Sequence, residues 1–582
     1  MATKLWHGAK WPDGVPYEIS GYEKPLFTIL DETARNYPNQ TYTLFNDAAR
    51  TFTEVKDTAD RVANFLASRG IQPGDRVAIF LPNLPHYPEI FFGILKAGGV
   101  CVTCNPLYQA SELNFQLNDS GAKAVFVMDH PEFYATAVKA VHSSPVETVV
   151  ICNVKSYLPG FKAFLGGLLG KIPKAEKHEA GHLMFDDVVK SAEPVPPELD
   201  IDPVNQEALV LYTGGTTGVP KGACLSHANL LSNVMSTQEW VLIPQESGEA
   251  PKRIEKGGVH TYLGVLPWYH SFGLTLCMLT SCANASRLVC IPDPRAGNPP
   301  FTEVLKSIEK YHITIVVAVP TIYSAFVNHP LLDKYDLSSI VGCGSGAAPL
   351  PVEVIRQFEE KTGAVIFEGY GLTETSPVIT LNPTNTDQRK IGSVGLPFIG
   401  VDIKIVDLET GLQELPQGED GEIVASGPQI MLGYWNKPEA NQEVFREIEG
   451  RRYFLTGDIG HFDEEGFLII TDRKKDLILV GGFNAYPKEI EEELYGHSKV
   501  ALAAVIGVPD PKTGEAVKAF VQLKPGEEAT EEELLEFCRS RLAGYKRPRS
   551  IEFRESLPTS VVGKVLRRVL RDEEIGKMKK GD

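Results

Sequence analysis

The chain has 582 residues, of which 43% are hydrophobic and 23% are charged, and its formal net charge is −18 at pH 7. This length exceeds that of a typical single domain, and the composition excludes disordered, collagen-like and coiled-coil proteins. The acidic balance argues against nucleic acid as a partner and against adhesion of the whole surface to an anionic membrane. We therefore expect a multidomain globular protein in which a few local cations meet any anionic ligand.

The cysteines and the apolar runs bear on the cellular compartment. Nine cysteines at irregular spacing favour a reducing, cytoplasmic location over a disulfide framework. Cys101 and Cys104 form a CxxC pattern, but they lie in an apolar run, which predicts a buried strand rather than a redox or zinc site. No run is typical of a signal peptide or of a membrane span, so we expect neither.

Short β-rich runs alternate with amphipathic helical runs, as in the strand 76–81, the helix 87–96 and the strand 100–104. This alternation predicts an α/β fold of parallel sheets covered by helices. Short strands with glycine, proline and aspartate turns follow from about residue 399 and predict a β-barrel-like subdomain. The last part of the chain alternates again between helices and strands, with a helix predicted over 487–495, and predicts a small α+β unit.

These patterns divide the chain into two domains joined by the charged stretch Asp472–Asp476, which we interpret as a hinge. The expected boundaries are 1–472 for a large N-terminal domain of stacked α/β sheets, with the β-barrel-like subdomain at 399–470, and 473–582 for a small mobile α+β domain.

A glycine- and threonine-rich segment follows the apolar run that ends at Tyr212. Glycines let backbone amides approach an oxyanion, threonine hydroxyls add donors, and Lys221 adds a positive charge, so the segment predicts a phosphate-binding loop. No Gly-Lys-Ser/Thr closes it after four spacer residues, so it is not a Walker A loop. The loop residues are Thr213, Gly214, Gly215, Thr216, Thr217 and Gly218.

This loop resembles the phosphate loop of the adenylate-forming superfamily, which contains acyl-CoA synthetases, beetle luciferases and peptide-synthetase adenylation domains. Other segments resemble that superfamily in the same order along the chain, namely Gly369–Pro377, Tyr453–Asp458, Asp472–Asp476, Gly481–Pro487 and Gly563–Arg568. The chain is most similar to the bacterial long-chain fatty acyl-CoA synthetases, through Asn105–Tyr108, Gln116–Gly121 and Gly544–Lys546.

The resemblance implies an ATP site with magnesium and assigns roles to its residues. Glu374 would bind Mg²⁺ with Thr213 as a second contact, and Thr373 would donate to the α-phosphate. Asp458 would accept from the ribose hydroxyls with help from Arg473. The remaining ATP-binding residues are Gly346, Ala347, Glu368, Gly369, Tyr370, Gly371 and Lys475.

Lys564 is the implied catalytic lysine, which would contact the substrate carboxylate and the α-phosphate. Attack of a carboxylate on ATP brings two anions together, so a cation at that point lowers the barrier. The alternative is that Lys564 is one more cation of a basic helix that contains Arg567 and Arg568.

The resemblance implies two further binding regions. Gly481, Gly482 and Phe483 would bind CoA, the glycines lining a tunnel that a β-carbon would obstruct. The resemblance implies that His270 lies near the fatty-acid carboxylate and is catalytic, as it implies for Lys564, Thr373 and Glu374. The alternative is that His270 is a buried core histidine. The implied acyl pocket consists of Trp268, His270, Phe272, Val319 and Gly344.

The segment 157–177 carries apolar residues at helical spacing, with four lysines among them and Lys155 just before them. This pattern predicts peripheral contact with the inner face of a membrane. The alternatives are a helix packed on its own domain or a helix that joins the two protomers of a homodimer. Four glycines weaken the helix.

The resemblance implies activation of a medium- to long-chain fatty acid by ATP through acyl-AMP, followed by transfer to CoA. Alternatives are an aryl or short-chain carboxylate, transfer to a carrier protein, or a noncatalytic acyl- or nucleotide-binding protein. No enzyme-bound covalent intermediate is needed, so no cysteine has to act as a nucleophile.

Overall fold

The computed structural model describes residues 4–8, 10–170, 172–213, 220–243, 252–253, 256–257, 260–559 and 565–581. Short strands and helices alternate along most of this length, as the sequence predicts. The strands are β1 Thr41–Phe45, β2 Ala48–Thr51, β3 Arg76–Phe80, β4 Val100–Thr103, β5 Ala124–Met128, β6 Thr148–Cys152, β7 Leu183–Met184, β8 Glu207–Thr213, β9 Lys221–Ser226, β10 Leu242–Ile243, β11 Lys252–Arg253, β12 Thr261–Gly264, β13 Arg287–Cys290, β14 Ile315–Ala318, β15 Gly342–Ser345, β16 Ile366–Gly371, β17 Val378–Leu381, β18 Leu396–Pro397, β19 Asp402–Val406, β20 Gly421–Ser426, β21 Gly433–Tyr434, β22 Phe445–Ile448, β23 Arg451–Phe462, β24 Leu468–Arg473, β25 Ile478–Val480, β26 Phe483–Ala485, β27 Val500–Asp510, β28 Gly514–Leu523 and β29 Ser550–Phe553.

Helices connect most of these strands. They are α1 Thr28–Asn36, α2 Phe52–Ser68, α3 His86–Lys96, α4 Ala110–Ser120, α5 Pro131–Val141, α6 Gly160–Leu168, α7 Phe185–Ser191, α8 His227–Trp240, α9 Ser271–Gly273, α10 Thr280–Ala283, α11 Thr302–Tyr311, α12 Pro320–Val327, α13 Val352–Thr362, α14 Pro438–Val444, α15 Pro487–Tyr495, α16 Glu531–Arg539 and α17 Arg567–Gly581. A π-helical stretch, Leu274–Leu279, joins α9 to α10.

Two large sheets form the N-terminal part of the structure. One has eight strands in the order β21-β9-β8-β4-β3-β5-β6-β7, and the other has nine in the order β18-β17-β16-β15-β14-β12-β13-β1-β2. The inner strands are parallel, and β9, β21, β17, β18 and β2 add antiparallel pairs at the edges. The predicted α/β class is therefore confirmed.

One core contains residues from both large sheets. Val77 and Ile79 of β3 and Leu263 of β12 belong to it, and α3 is buried along its whole length. Its neighbour α2 begins with a capping box, in which Thr51 Oγ1 accepts from the Glu54 amide at 3.2 Å and Glu54 Oε2 accepts from the Thr51 amide at 2.7 Å. Strand β4 is buried throughout, which confirms the interpretation of the Cys101–Cys104 run.

A third sheet occupies the segment for which the sequence predicts a β-barrel-like subdomain. It is antiparallel, with the order β19-β20-β23-β22 and with β24 paired to β23. Its core includes Ile403, Ile423 and Phe467, and Trp6 and Trp11 from the start of the chain pack there.

The final sheet has the order β26-β25-β28-β27, with β29 parallel to β28. It has a core of its own, which includes Ile490 of α15, Val505 of β27 and Leu534 of α16. The predicted helix 487–495 has the bounds of α15.

The exposure of the segment 157–177 bears on the predicted membrane contact and on its alternatives. Its helix, α6, is short, and none of its residues is buried, so α6 is not packed on its own domain. Phe161 is 73% exposed and Phe164 68%. Tyr157, in contrast, is buried. Across the described residues, every helix falls short of the length and apolar character that a membrane crossing requires.

Candidate active site

Tyr370, Asp458 and Arg473 form a hydrogen-bonded group where β16 meets β23 and β24. The Tyr370 hydroxyl donates to Asp458 Oδ2 at 2.6 Å, and Arg473 Nε lies 3.0 Å from Asp458 Oδ1. Asp458 and Arg473 are cross-strand partners, so the antiparallel register itself brings this pair together. Burial and the Asp458 charge raise the pKa of Tyr370 well above its usual value, which keeps the hydroxyl a donor. Three residues that the sequence assigns to nucleotide binding therefore lie together.

Glu374 is the second buried carboxylate of this region. It lies in the turn Thr373–Thr375 and is 8% exposed. Burial raises its pKa, and Asp458 is close enough for its negative charge to contribute in the same direction. The Tyr434 hydroxyl donates to Glu374 Oε1 at 2.7 Å and opposes that rise. Thr373, at the start of the turn, is half-buried.

The two ends of the glycine-rich loop are held against each other. Thr213 ends β8, Lys221 begins β9, and the two residues pair across the strands. Thr213 Oγ1 donates to the Lys221 carbonyl at 3.3 Å. Lys221 Nζ lies 5.3 Å from the centroid of the Tyr434 ring, on its face. Gly214, Gly215, Thr216, Thr217 and Gly218 lie outside the described residues.

Glycines let the backbone pack closely beside these carboxylates. A β-carbon at Gly371 would lie 1.7 Å from the Pro377 carbonyl oxygen, so this glycine is required by the turn between β16 and β17. A β-carbon at Gly369 would lie 3.0 Å from the Thr380 carbonyl oxygen. The Leu350 amide donates to Glu368 at 3.3 Å, and burial raises the pKa of Glu368.

The predicted acyl segment reaches the nucleotide segment through Phe272 and Gly346. A β-carbon at Gly346 would lie 3.4 Å from Phe272 Cζ and 3.2 Å from the Gly369 carbonyl oxygen. Ala347 follows with φ 71°, a left-handed conformation that turns the chain away from β15. The predicted acyl segment and the predicted nucleotide segment are therefore adjacent in the structure.

Other predicted acyl-pocket residues lie in buried surroundings. Trp268 is fully buried, its amide donates to Asn83 at 2.9 Å, and its indole nitrogen has no hydrogen-bond partner. His270 Nε2 is also buried without a partner, and burial lowers the pKa of His270 to about 4. Val319 is buried, and Gly344 pairs with Val317 and with Phe367.

The proposed hinge is tied to the terminal helix by Arg567. Its guanidinium lies 3.6 Å from Asp472, 3.1 Å from Asp476 and 2.6 Å from Glu491. These carboxylates raise the pKa of Arg567 against the opposing effect of its burial. Lys564, three residues before it, lies outside the described residues. Loss of water around the ammonium group and the charge of Arg473 lower the pKa of Lys475, within the hinge, to about 8.

The predicted CoA segment forms the turn between β25 and β26. Gly481 and Gly482 have φ 59° and 85°, which favours glycine at both positions. A β-carbon at Gly482 would meet no atom within 4 Å, so here the backbone conformation, and not crowding, requires glycine. Phe483 is 62% exposed, and its ring stacks on Tyr545 with centroids 5.1 Å apart.

Two family models match the chain. The model of the AMP-binding enzyme matches residues 30–435, and the model of the AMP-binding enzyme C-terminal domain matches residues 489–564. The chain belongs to the AMP-binding enzyme family.

Curated and solved relatives of this AMP-binding enzyme cover nearly the whole chain. The long-chain-fatty-acid–CoA ligase of Bacillus subtilis (strain 168) is 41% identical over 586 residues, which is 99% of each chain. The structure of ATP-bound MatB from Rhodopseudomonas palustris is 31% identical with a TM-score of 0.79, and covers 94% of this chain and 98% of its own. A fatty acyl CoA synthetase from Mycobacterium tuberculosis is 28% identical with a TM-score of 0.70, over 95% and 99% of the two chains.

The donor atoms near Glu374 fit the magnesium that an AMP-binding enzyme would take with ATP. Among the described residues there is no group of three or more His, Cys, Asp or Glu side chains able to hold a metal alone. Mg²⁺ characteristically takes one or two carboxylates and completes its shell with substrate phosphates and water. The buried carboxylate of Glu374 is a ligand of the kind that this requirement calls for.

Sequence reasoning missed Tyr434 and Lys488. Tyr434 lies 60 positions after the carboxylate that it contacts. The Lys488 amide donates to Asp472 Oδ2 at 2.7 Å. The positive charge of the Lys488 side chain opposes the rise that burial causes in the pKa of Glu368. No local pattern marks Tyr434, because its contact with Glu374 arises from the pairing of β21 with β9. Lys488 had no signal beyond its place at the start of α15.

Proposed function

We propose that this AMP-binding enzyme activates a medium- to long-chain fatty acid in two steps. Fatty acid and ATP first give acyl-AMP and pyrophosphate, and acyl-AMP and CoA then give acyl-CoA and AMP. The observation that carries the proposal is the pair of buried carboxylates, Asp458 and Glu374. Arg473 pairs with Asp458, and Lys221 faces the ring of Tyr434, whose hydroxyl donates to Glu374. The end-to-end similarity to the ligase of Bacillus subtilis supports the choice of fatty acid and CoA.

In the first step a carboxylate oxygen of the fatty acid forms a bond to the α-phosphorus, and the bond to the bridging oxygen of pyrophosphate breaks. We propose that Asp458 accepts from the ribose hydroxyls while Arg473 and Tyr370 fix its orientation. Thr373 and Lys564 donate to the α-phosphate, where negative charge accumulates. Magnesium on Glu374 and Thr213 would neutralise phosphate charge.

The glycine-rich loop, Lys221 and the residues around Gly346 complete the proposed nucleotide site. Loop amides and threonine hydroxyls bind the outer phosphates, and Lys221 adds a charge at the end of the loop. Gly346, Ala347, Gly369 and Gly371 shape the backbone around adenine, and Glu368 fixes that backbone through the Leu350 amide.

In the second step the sulfur of CoA attacks the acyl carbonyl carbon, the thiol proton is released, and AMP leaves. We propose that residues 473–582 rotate about the Asp472–Asp476 hinge between the two steps, so that Gly481, Gly482 and Phe483 replace Lys564 at the site. Lys475, within the hinge, would contact phosphate in one of the two arrangements. Trp268, Phe272, Val319 and Gly344 line the acyl pocket, with His270 near the carboxylate.

We also propose that α6 places this enzyme against an anionic membrane surface that supplies fatty acid. Phe161, Phe164 and Leu168 form an exposed apolar face. Lys155, Lys174 and Lys177 are exposed nearby. Lys162 is less available, because it forms an ion pair with Asp47 at 2.6 Å. A second copy of the chain is the alternative cover for this face and would make a homodimer.

A cytoplasmic location, at the inner face of the membrane, follows from the same proposal. All nine cysteines are free and buried, which suits a reducing compartment.

Release of AMP in the presence and absence of CoA tests the proposed reaction. We expect CoA-dependent AMP release with fatty acids, rising as the chain lengthens, because each added methylene buries more apolar surface. Short-chain and aryl acids serve as competing substrates. Acyl-AMP formation with no acyl-CoA product would contradict the second step, and a preference for aryl acids would contradict the substrate class.

A further inference from the structure

Tyr434 contacts both parts of the proposed phosphate site. Its hydroxyl donates to Glu374 Oε1 at 2.7 Å, and its ring faces Lys221 Nζ at 5.3 Å. Tyr434 and Glu374 are 9% and 8% exposed, so this hydrogen bond is largely withdrawn from water. One aromatic side chain thus joins the carboxylate proposed for magnesium to the cation at the end of the phosphate loop.

The backbone of Tyr434 is fixed from two directions. Strand β21 pairs with β9, and Tyr434 lies opposite Ala223, two residues after Lys221. From the other side, Asn441 of α14 accepts from the Tyr434 amide at 2.7 Å and donates to its carbonyl at 3.2 Å. The phenol therefore stands on a backbone whose position is set relative to the phosphate loop.

Trp435 anchors the same strand to a more distant part of the sheet. Its indole nitrogen donates to the Asp119 carbonyl at 2.9 Å, and the Arg76 guanidinium lies 4.2 Å from its ring centroid. Its amide donates to the Gly222 carbonyl at 2.8 Å. Together with the hydrogen bonds of Asn441, these contacts fix the backbone of Tyr434, so that its hydroxyl does not move with the Glu374 carboxylate if that carboxylate rotates. The hydroxyl accordingly selects one orientation of the carboxylate.

We propose that Tyr434 is a positioning residue for the adenylation step. It holds the Glu374 carboxylate in one orientation relative to Lys221, so that a phosphate group with its magnesium meets both at once. This inference rests on the proposed function. It assigns Tyr434 no contact with the reacting atoms, because the residue acts through Glu374.

Tyr434→Phe removes the hydroxyl and keeps the ring under Lys221. Tyr157→Phe is the matched control, because Tyr157 is 7% exposed, close to Tyr434, and its hydroxyl also donates to a buried carboxylate, Glu89. The measurement is equilibrium binding of ATP by titration calorimetry over a series of Mg²⁺ concentrations, without fatty acid. We expect Tyr434→Phe to raise the Mg²⁺ concentration needed for half-maximal ATP affinity by about tenfold. ATP binding in EDTA should be unchanged.

The kinetic counterpart is pyrophosphate release with fatty acid present. We expect Tyr434→Phe to lower kcat at limiting Mg²⁺ and to recover most of it at saturating Mg²⁺, with the KM for the fatty acid unchanged. Equal losses of ATP affinity with and without Mg²⁺ would indicate a merely structural role and overturn the inference. An equal Mg²⁺ response of Tyr434→Phe and Tyr157→Phe would also overturn it.

A double-mutant cycle with Glu374→Gln isolates the contact itself. If Tyr434 acts through Glu374, Tyr434→Phe has no further effect on the Mg²⁺ dependence of ATP binding in the Glu374→Gln background. Additive effects would overturn the inference. Failure of the proposed function has a different signature, because the wild-type chain would then release no AMP with CoA and fatty acid, whatever the binding data.

Discussion

Tyr370 donates a hydrogen bond of 2.6 Å to Asp458 and so joins β16 of the nine-stranded sheet to β23, the longest strand of the third sheet. Arg473 holds the other oxygen of the same carboxylate from the last position of β24, immediately before the rest of the proposed hinge. The proposed ribose contact therefore lies directly beside the stretch that we interpret as a hinge.

Asp458→Asn should raise the KM for ATP and lower kcat/KM by about 10- to 100-fold, because a charged acceptor for the ribose hydroxyls is lost. Asp402→Asn is the matched control, since Asp402 also accepts from a tyrosine, Tyr453, and pairs with an arginine, Arg451, at 3.0 Å. Steady-state kinetics at varied ATP checks the expectation. Equal losses in both variants would indicate a folding defect instead of a nucleotide contact.

Lys564→Ala should slow pyrophosphate release by about 10²–10³-fold, the usual effect of removing one donor to developing charge. Transfer from supplied acyl-AMP to CoA should remain near the wild-type rate, because that step does not need this lysine. Lys577→Ala is the control, since Lys577 pairs with Glu552 and Glu574 of the same small domain. Equal losses in the two half-reactions would contradict the assignment.

Replacing Phe161 and Phe164 together by serine should weaken binding to vesicles of anionic phospholipid by at least about tenfold, because two large apolar side chains no longer enter the interface. Val352 and Leu412, also exposed, provide the control pair for the same substitution. Co-sedimentation at low and high salt measures the effect. Loss of a dimer in ultracentrifugation with unchanged vesicle binding would show that a second copy covers α6.

Glu89 should make stability depend on pH. It is fully buried and accepts from Arg50 at 3.2 Å and from Tyr157, and burial raises its pKa from 4.5 to about 7. Between these values the folded chain keeps a proton that the unfolded chain has released, so ionisation costs stability as pH rises.

The free energy of unfolding of the wild type, relative to Glu89→Gln, should therefore fall by up to about 3 kcal/mol across this window. Urea unfolding of both proteins at several pH values measures it. A difference that does not change with pH would contradict the prediction.

The sequence predicts most of this architecture because its signals are local. Strand β4 and helix α15 follow from apolar runs and period, and Asp458 and Glu374 follow from short motifs. Tyr434 could not be predicted, because its contact with Glu374 depends on how β21 docks on β9. The exposure of α6 was equally inaccessible, since apolar residues at helical spacing look alike whether or not a partner covers them.

Gly371 shows a further limit of predicting the role of a residue from the sequence. The resemblance assigns Gly371 to ATP binding, whereas in the structure a β-carbon at this position would lie 1.7 Å from the Pro377 carbonyl oxygen. A glycine in a motif can therefore be required by the packing of the backbone, whether or not it contacts the ligand. The packing of β16 against the following turn, which the sequence does not reveal, is needed to distinguish these two reasons for a glycine.

The path of the chain between the two large sheets has a consequence for biosynthesis. The chain starts the nine-stranded sheet at β1 and β2, builds most of the eight-stranded sheet, returns to the first, and only then adds β21 to the second. Neither sheet is complete until most of the chain has been synthesised, so nascent chains carry unpaired edges for an extended time. Productive folding should depend on protection of those edges during translation, and shortened products that end before Tyr434 should aggregate.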